Sequence, residues 1–301
     1  MIKISVCIPV YNFDVRELVY ELKNQITEQD LPVEIILIDD HSEISFSGLN
    51  SEIQYIADSY TVLGQNIGRS KIRNLFLNCA KGEYLLFLDC DGKLIHGNFL
   101  MNYLNFIHKN PDAEVLYGGR TVPANVPDQK HLLRWKFALE RENLSVEARK
   151  LHPYLSFQTN NFVIRKEVLS RIPFNVSYSN YGYEDLLFAM DLKSEKIFIG
   201  HIENPVLNND VETNEVYLEK VKESVASVSS MLKTNHVKDR ISEIKLVKAF
   251  KRLNFFPFGS FIIFLFQKCE KLLEKKLLKG NGSLLYLDFY KLGMLFKLMK
   301  T

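Results

Sequence analysis

The sequence predicts an α/β domain with a mostly parallel sheet, followed by a helical C-terminal extension. Three observations carry that expectation. In the N-terminal third, short apolar runs rich in β-formers alternate with segments whose apolar residues recur at helical spacing. The runs end in polar residues, namely Asn12, Asp39-Asp40 and Asp89-Cys90-Asp91. After Thr213 only helical patterns remain, without a repeat or a low-complexity linker.

Each element has its own signal. Ile4–Val10 is an apolar β-rich run stopped by Tyr11-Asn12. Leu18, Leu22 and Ile26 then share one helical face. Val33–Asp39 is a short continuous apolar run, the pattern of a parallel strand covered on both faces. Ile72, Leu75, Phe76 and Cys79 predict a helix over residues 70–80, with Gly82 placed to end it. Residues 83–89 form a third buried strand. Beyond it the pattern predicts a helix over 98–110 stopped before Pro111, a strand at VLYGG and a helix around 132–149. A strand at FQTNNFVIR, a short helix at KEVLSRI, a loop-to-helix segment at YGYEDLLFAMDL and a final strand at IFIGHIENPVL complete the domain.

The bulk numbers bound the class. With 301 residues, 47% hydrophobic and 25% charged, the chain has ordinary globular usage and enough length for one large domain or two small ones. Cys7, Cys79, Cys90 and Cys269 form no CxxC pair, which argues against a disulfide framework or zinc site and for a reducing, cytoplasmic compartment. The N-terminal apolar run is too short for a signal peptide, and no stretch reaches the roughly 18 apolar residues of a spanning helix. The net charge of +2 hides an asymmetry. Residues 216–301 carry 17 Lys/Arg against 7 Asp/Glu, and the preceding 215 carry 21 against 29.

In open α/β sheets ligands bind outside the carboxyl ends of the strands. Three strand ends bearing carboxylates and amides therefore suggest one shared site. Asp89 and Asp91, at i and i+2 on a turn, suit a hard cation such as Mg²⁺ or Mn²⁺, although such a triplet also serves as a solvated turn. Asp39-Asp40 reads as a turn pair before Ser42, or as an acceptor for a ribose or base. Asn66-Ile67-Gly68, followed by Arg69, Lys71 and Arg73, places cations at a helix start, where anions are favoured. An exposed basic face is the alternative there.

The segments SVCIPVYN, LIDDHS, NIGRSKIRN and YLLFLDCDG, in that order and spacing, resemble family 2 glycosyltransferases of the GT-A fold. The resemblance covers roughly residues 4–208. It implies a GT-A domain over 1–213 with a mixed, mostly parallel sheet, divided into a nucleotide-binding half (1–97) and an acceptor half (98–213), and a helical extension over 214–301. It also implies that Pro9, Tyr11 and Asn12 line the base and ribose pocket, that Asp40 bonds the base or ribose, and that Asp39 supports that loop. Asn66, Gly68 and Arg73 would pack against the nucleotide. Asp89 and Asp91 would be the DxD motif, holding Mn²⁺ or Mg²⁺ on the donor's phosphates. Tyr183-Glu184-Asp185 matches the later ED motif, with Asp185 as base and Glu184 holding acceptor hydroxyls or standing second for that role. His201 is the available imidazole for a third metal ligand, and Asn208 occupies another place for one. Gln158, Asn160 and Asn161 would meet donor sugar or acceptor, and Trp135 would stack on a sugar or pack within a helix.

The implied reaction is inverting transfer of a sugar from a nucleotide-diphospho-sugar, UDP in many such enzymes, to a hydroxyl of a glycan or lipid-linked glycan. No nucleic-acid partner is expected. The alternative is an inactive nucleotide-sugar-binding subunit, against which the intact carboxylates argue. An NAD-dependent Rossmann enzyme is disfavoured because Tyr11-Asn12-Phe13 follows the first strand in place of a glycine-rich loop. The aromatic stretch FFPFGSFIIFLF, followed by Lys268, Lys271, Lys275, Lys276 and Lys279, fits a helix lying on the anionic inner face of a membrane. A helix packed on the catalytic domain with its lysines in water is the competing reading.

Overall fold

β1 (Ile4–Val10) and β2 (Val33–Asp39) are buried along nearly their whole length, as their unbroken apolar runs require, and they pair in parallel from Ile4↔Val33 to Val10↔Asp39. A computed structural model describes residues 2–125, 128–177, 182–208, 211–235, 237–254, 258–280 and 283–300. Between the two strands runs α1 (Arg16–Gln29), which buries Leu18, Val19 and Leu22 against the sheet. β3 (Ser59–Val62) extends the sheet on one side of β2, and β4 (Tyr84–Leu88) lies parallel to β1 on the other. α2 (Ile44–Asn50) and α3 (Arg69–Leu75) occupy the connections before β3 and β4.

Beyond β4 the sheet becomes mixed. After α4 (Phe99–Lys109) come β6 (Val115–Tyr117), β8 (Asn161–Arg165) and β9 (Ile199–His201). The seven-stranded order is β3-β2-β1-β4-β8-β6-β9, with β8 antiparallel to β4 and β6. A second, three-stranded sheet joins β5 (Gly92–Leu94), β10 (Val206–Asn208) and β7 (Arg120–Thr121), with Asn208 opposite Gly92. The single final strand expected over IFIGHIENPVL is therefore two strands in two sheets.

The helix expected over 132–149 is also divided. α5 (Leu132–Phe137) runs into a π-helical turn at Ala138–Glu142, and α6 (Val146–Leu151) restarts at an N-cap in which the Ser145 hydroxyl accepts from the Ala148 N–H. The break lets the buried Arg149 donate to the carbonyls of Tyr117, Gly118 and Ile202. α7 (Lys166–Arg171) and α8 (Glu184–Ser194) complete the α/β part.

The remaining helices are α9 (Asn214–Lys233), α10 (Lys245–Leu253), α11 (Phe258–Leu278) and α12 (Leu284–Lys300). They pack on the α/β part through Leu187 of α8, which shares a core with Val225, Val228, Val247 and Leu295. Leu133 of α5 joins a second core with Tyr217, Leu218 and Val221 of α9. Among the described residues no single helix is long and apolar enough to cross a membrane. Phe255, Phe256 and Pro257, the start of the aromatic stretch, lie outside the described residues.

Candidate active site

The ends of β1, β2 and β4 open into a cleft made of two adjoining cavities. The first, of about 450 Å³, is walled by Pro9, Tyr11, Asn12, Asp40, Asn66 and Gly68 together with Arg73 and Asp89. The second, of about 350 Å³, holds Asp185, Asn160, Asn208 and Arg120. Arg69, Asp89, Asp91, Glu184 and Lys220 line both.

Strand pairing explains this convergence. β8 runs antiparallel to β4, so Asn161 sits opposite Leu88 and the Asn160 carbonyl accepts from the Asp89 N–H at 3.1 Å. The Thr159 N–H in turn points at Asp185 Oδ2, 3.3 Å away. The pairing of β10 with β5 brings Asn208 to the second acid of the turn, where its Nδ2 donates to Asp91 Oδ2 at 2.8 Å.

On the nucleotide side, Asn12 has φ +48, a left-handed conformation that asparagine tolerates, and its Oδ1 accepts from the Glu43 N–H at 2.8 Å. This bond ties the β1 turn to the β2 turn. Asp40 accepts from the Ile67 and Gly68 N–H groups at 2.7 and 2.9 Å, one per oxygen, keeping a second lone pair on each. Gly68 has φ +84, which explains glycine at that position. Asp39 does not reach the cleft. It is fully buried, its Oδ1 accepting from the Ser42 N–H at 2.6 Å and its Oδ2 from the Tyr60 hydroxyl at 3.0 Å, so it holds the turn and has no ligand contact left to make.

The charged groups are arranged around the Asp89 turn. Arg73, 2% exposed, places Nη2 3.1 Å from Asp89 Oδ1, while its Nε and Nη1 are buried without a hydrogen-bond partner. Two such donors in a cavity wall are an orphaned anion-binding capacity. Burial and then the Asp89 charge push the Asp91 carboxyl above the usual carboxylate range. Two carboxylates whose charges are imperfectly relieved fit a hard divalent cation. Among the described residues no set of three His, Cys, Asp or Glu side chains converges as ligands. A two-carboxylate site completed by phosphate oxygens is the usual arrangement for Mg²⁺. His201 lies elsewhere: its Nε2 donates to the Pro153 carbonyl at 3.0 Å, its ring stands edge-on to Tyr117, and it lines neither cavity.

At the other wall, Gly182 (φ +97) and Tyr183 (φ +68) turn the chain into α8. Glu184 Oε2 accepts from the Gly182 N–H at 2.8 Å, and Oε1 lies 3.7 Å from Arg69. Asp185 is pushed up to about 6 by burial and then by the Glu184 charge. Gln158 and Asn160 line the second cavity, where the Asn160 Nδ2 is buried without a partner. Asn161 is consumed internally, donating to the Gly119 and Asn204 carbonyls and accepting from the Tyr103 hydroxyl. Trp135 lines neither cavity and donates to the Pro123 carbonyl. Sequence reasoning assigned no site role to Arg120, Glu212, Lys220 or Lys291, all of which wall the second cavity.

A family model described as "Glycosyl transferase family 2" matches residues 5–186. Two curated relatives are similar over part of the chain. The poly(ribitol-phosphate) beta-glucosyltransferase of Bacillus spizizenii is 31% identical over 136 residues, 41% of this chain and 21% of that protein. The poly(ribitol-phosphate) beta-N-acetylglucosaminyltransferase TarP of Staphylococcus aureus is 32% identical over 133 residues, 41% of this chain and 40% of that protein. The matched segments thus span well under half of those relatives' lengths. Among solved structures, the mannosyltransferase PcManGT of Pyrobaculum calidifontis, solved with GDP-Man and Mn²⁺, superposes with a TM-score of 0.59 at 14% identity, covering 99% of this chain and 86% of that one. It shares the GT-A type of α/β fold. With the family model spanning more than half of the sequence, the chain belongs to glycosyl transferase family 2.

Proposed function

We propose that the protein is an inverting glycosyltransferase that moves a sugar from a nucleotide-diphospho-sugar, a UDP-sugar by preference, to a hydroxyl of a surface glycan or lipid-linked glycan. The observation that carries this reading is the shared wall: Asp89, Asp91 and Glu184 border both the strand-end cavity and the cavity containing Asp185. A donor lying across that wall would have its nucleotide beside Asp40 and Gly68 and its anomeric carbon toward Asp185.

Asp185 acts as general base. With its carboxyl pushed up to about 6, it is ionised at neutral pH yet basic enough to accept a proton. The acceptor oxygen forms a bond to the anomeric carbon, the bond to the diphosphate breaks with its electron pair, and the hydroxyl proton passes to Asp185. Glu184, held by Gly182 and Arg69, orients acceptor hydroxyls. Arg73 presents its unpartnered nitrogens to the donor's phosphates. Asp89 and Asp91 would hold Mn²⁺ or Mg²⁺, with Asn208 fixing the Asp91 carboxylate. Such a cation, when bound, neutralises charge on the departing diphosphate. The relatives named for glucosyl and N-acetylglucosaminyl transfer to poly(ribitol-phosphate) support a surface-polymer acceptor.

The C-terminal helices support a peripheral membrane location. α11 buries Phe266, Leu273 and Leu277 and exposes Phe258, Phe261 and Phe264, with Lys268 5.8 Å over the Phe264 ring. Aromatic side chains flanked by lysines suit an anionic lipid surface.

Calorimetry with UDP, GDP and CDP, with and without Mn²⁺, tests the catalytic reading. Metal-dependent binding of one nucleotide is expected, with the metal effect lost in Asp91→Ala. If no nucleotide binds under any condition, the transferase reading fails.

A further inference from the structure

The cavity that holds Asp185 continues into a third, apolar one of about 590 Å³. Phe137, Leu155, Tyr183, Leu186, Arg141 and Lys291 belong to both. Its far wall is built by Leu246 and Ala249 of α10 and Phe289 and Leu292 of α12. Two of the shared residues are cations. Lys291 lies 4.5 Å from the Phe137 ring centroid, and Arg141 is paired at 3.1 Å with Asp288, itself half exposed. Burial pulls the Lys291 ammonium down to about 8, so an anion at this junction would stabilise a charge that the apolar walls oppose. Neither the nucleotide nor the transferred sugar calls for an apolar chamber on the far side of the base.

We propose that this chamber takes the alkyl chain of a lipid-phosphate acceptor, with Lys291 and Arg141 on its phosphate and a short saccharide reaching back to Asp185. The chamber's continuity with the Asp185 cavity argues for the acceptor in place of an unrelated ligand. The cations at the junction match a phosphate head, and the apolar walls match its tail. This inference rests on the transferase reading and narrows its acceptor to a lipid-linked one carrying few sugars, because head group and reacting hydroxyl must share a cavity of about 350 Å³.

The test is calorimetry on the full chain with decyl phosphate, decanol and inorganic phosphate as probes, with UDP titrated in parallel. Decyl phosphate should bind roughly tenfold or more tightly than either decanol or inorganic phosphate. Ala249→Trp, which fills the chamber, should weaken decyl phosphate roughly tenfold, and Leu246→Trp serves if that variant does not fold. Lys291→Met should weaken decyl phosphate while sparing decanol. Decyl phosphate affinity indifferent to both the filling and the charge substitution, or no tighter than inorganic phosphate, overturns the proposal. UDP binding without decyl phosphate binding would remove the tail site and leave the transferase reading standing. Absence of UDP binding would strike at that reading instead.

Discussion

Nη2 of Arg73 lies 3.1 Å from Oδ1 of Asp89, and the remaining guanidinium nitrogens have no hydrogen-bond partner although the residue is 2% exposed. A buried cation with spare donors costs folding energy, and a donor's diphosphate would satisfy those donors. Arg73→Met keeps the stem's packing against Phe174 and removes the charge. UDP affinity by calorimetry is expected to fall roughly 10- to 100-fold, the worth of a lost charge-assisted bond. Thermal stability should hold or rise. A large fall in melting temperature with unchanged UDP affinity would show that Arg73 serves the fold alone.

Asp185 gives a prediction on both rate and stability. Its folded-state pKa is raised to about 6, so kcat/KM should climb with pH and level off above that value. Asp185→Asn should cut transfer by roughly 10²- to 10⁴-fold while UDP binding persists. The sign for stability is the reverse of an ordinary ion-paired aspartate. Charging a carboxyl whose folded pKa is raised costs stability as pH rises through about 6, and the cost vanishes below the unfolded value of 3.8. The asparagine variant should therefore melt several degrees higher at pH 8 and match the parent near pH 3.5. Equal melting at both pH values would mean that Asp185 is not desolvated.

The parts of this protein legible from sequence are those set by local pattern. β1 and β2 fall where their apolar runs lie, because strands covered on both faces need continuous apolar residues. The polar strand ends were legible for the same reason, since a run of buried residues must stop where the sheet does. What depends on distant partners was not legible. Arg149 draws its backbone out of a long helix to satisfy three carbonyls, one of them 53 residues away. Asn161 looks like its neighbour Asn160 in sequence, yet strand alternation turns one into the core and the other into the cleft. Lys220 and Lys291 sit on amphipathic helices whose docking onto the cleft is a tertiary event.

His201 illustrates the same limit and is directly testable. Burial pulls its pKa down to about 4, and a hydrogen bond to Pro153 fixes its ring. A histidine with a depressed folded pKa contributes stability in full above about 6.5, and that contribution is lost as pH falls toward about 4. His201→Gln, measured by chemical denaturation across that window, should flatten the acid slope. Mn²⁺ affinity, measured alongside, should not change. A clear loss of Mn²⁺ affinity in this variant would restore His201 as a ligand.

Gly182 tests whether the C-terminal helices are part of the active site. A Cβ at this position would collide with the Cβ of Ser224 on α9, and the φ of +97 is strained for any other residue. Gly182 also donates its N–H to Glu184 at 2.8 Å, so displacing it moves the turn that carries Glu184 and Asp185. Gly182→Ala should cost roughly 1–3 kcal/mol in denaturant unfolding and most of the transfer activity. Ser224→Gly removes the obstructing carbon at a cost of about 1 kcal/mol for a glycine inside a helix. The double variant should be less destabilised than the two single losses added together, and should recover part of the activity. Because the backbone strain at φ +97 remains, recovery should be incomplete. Strictly additive losses would separate the helix from the catalytic turn and leave α9 a mere neighbour of the cleft.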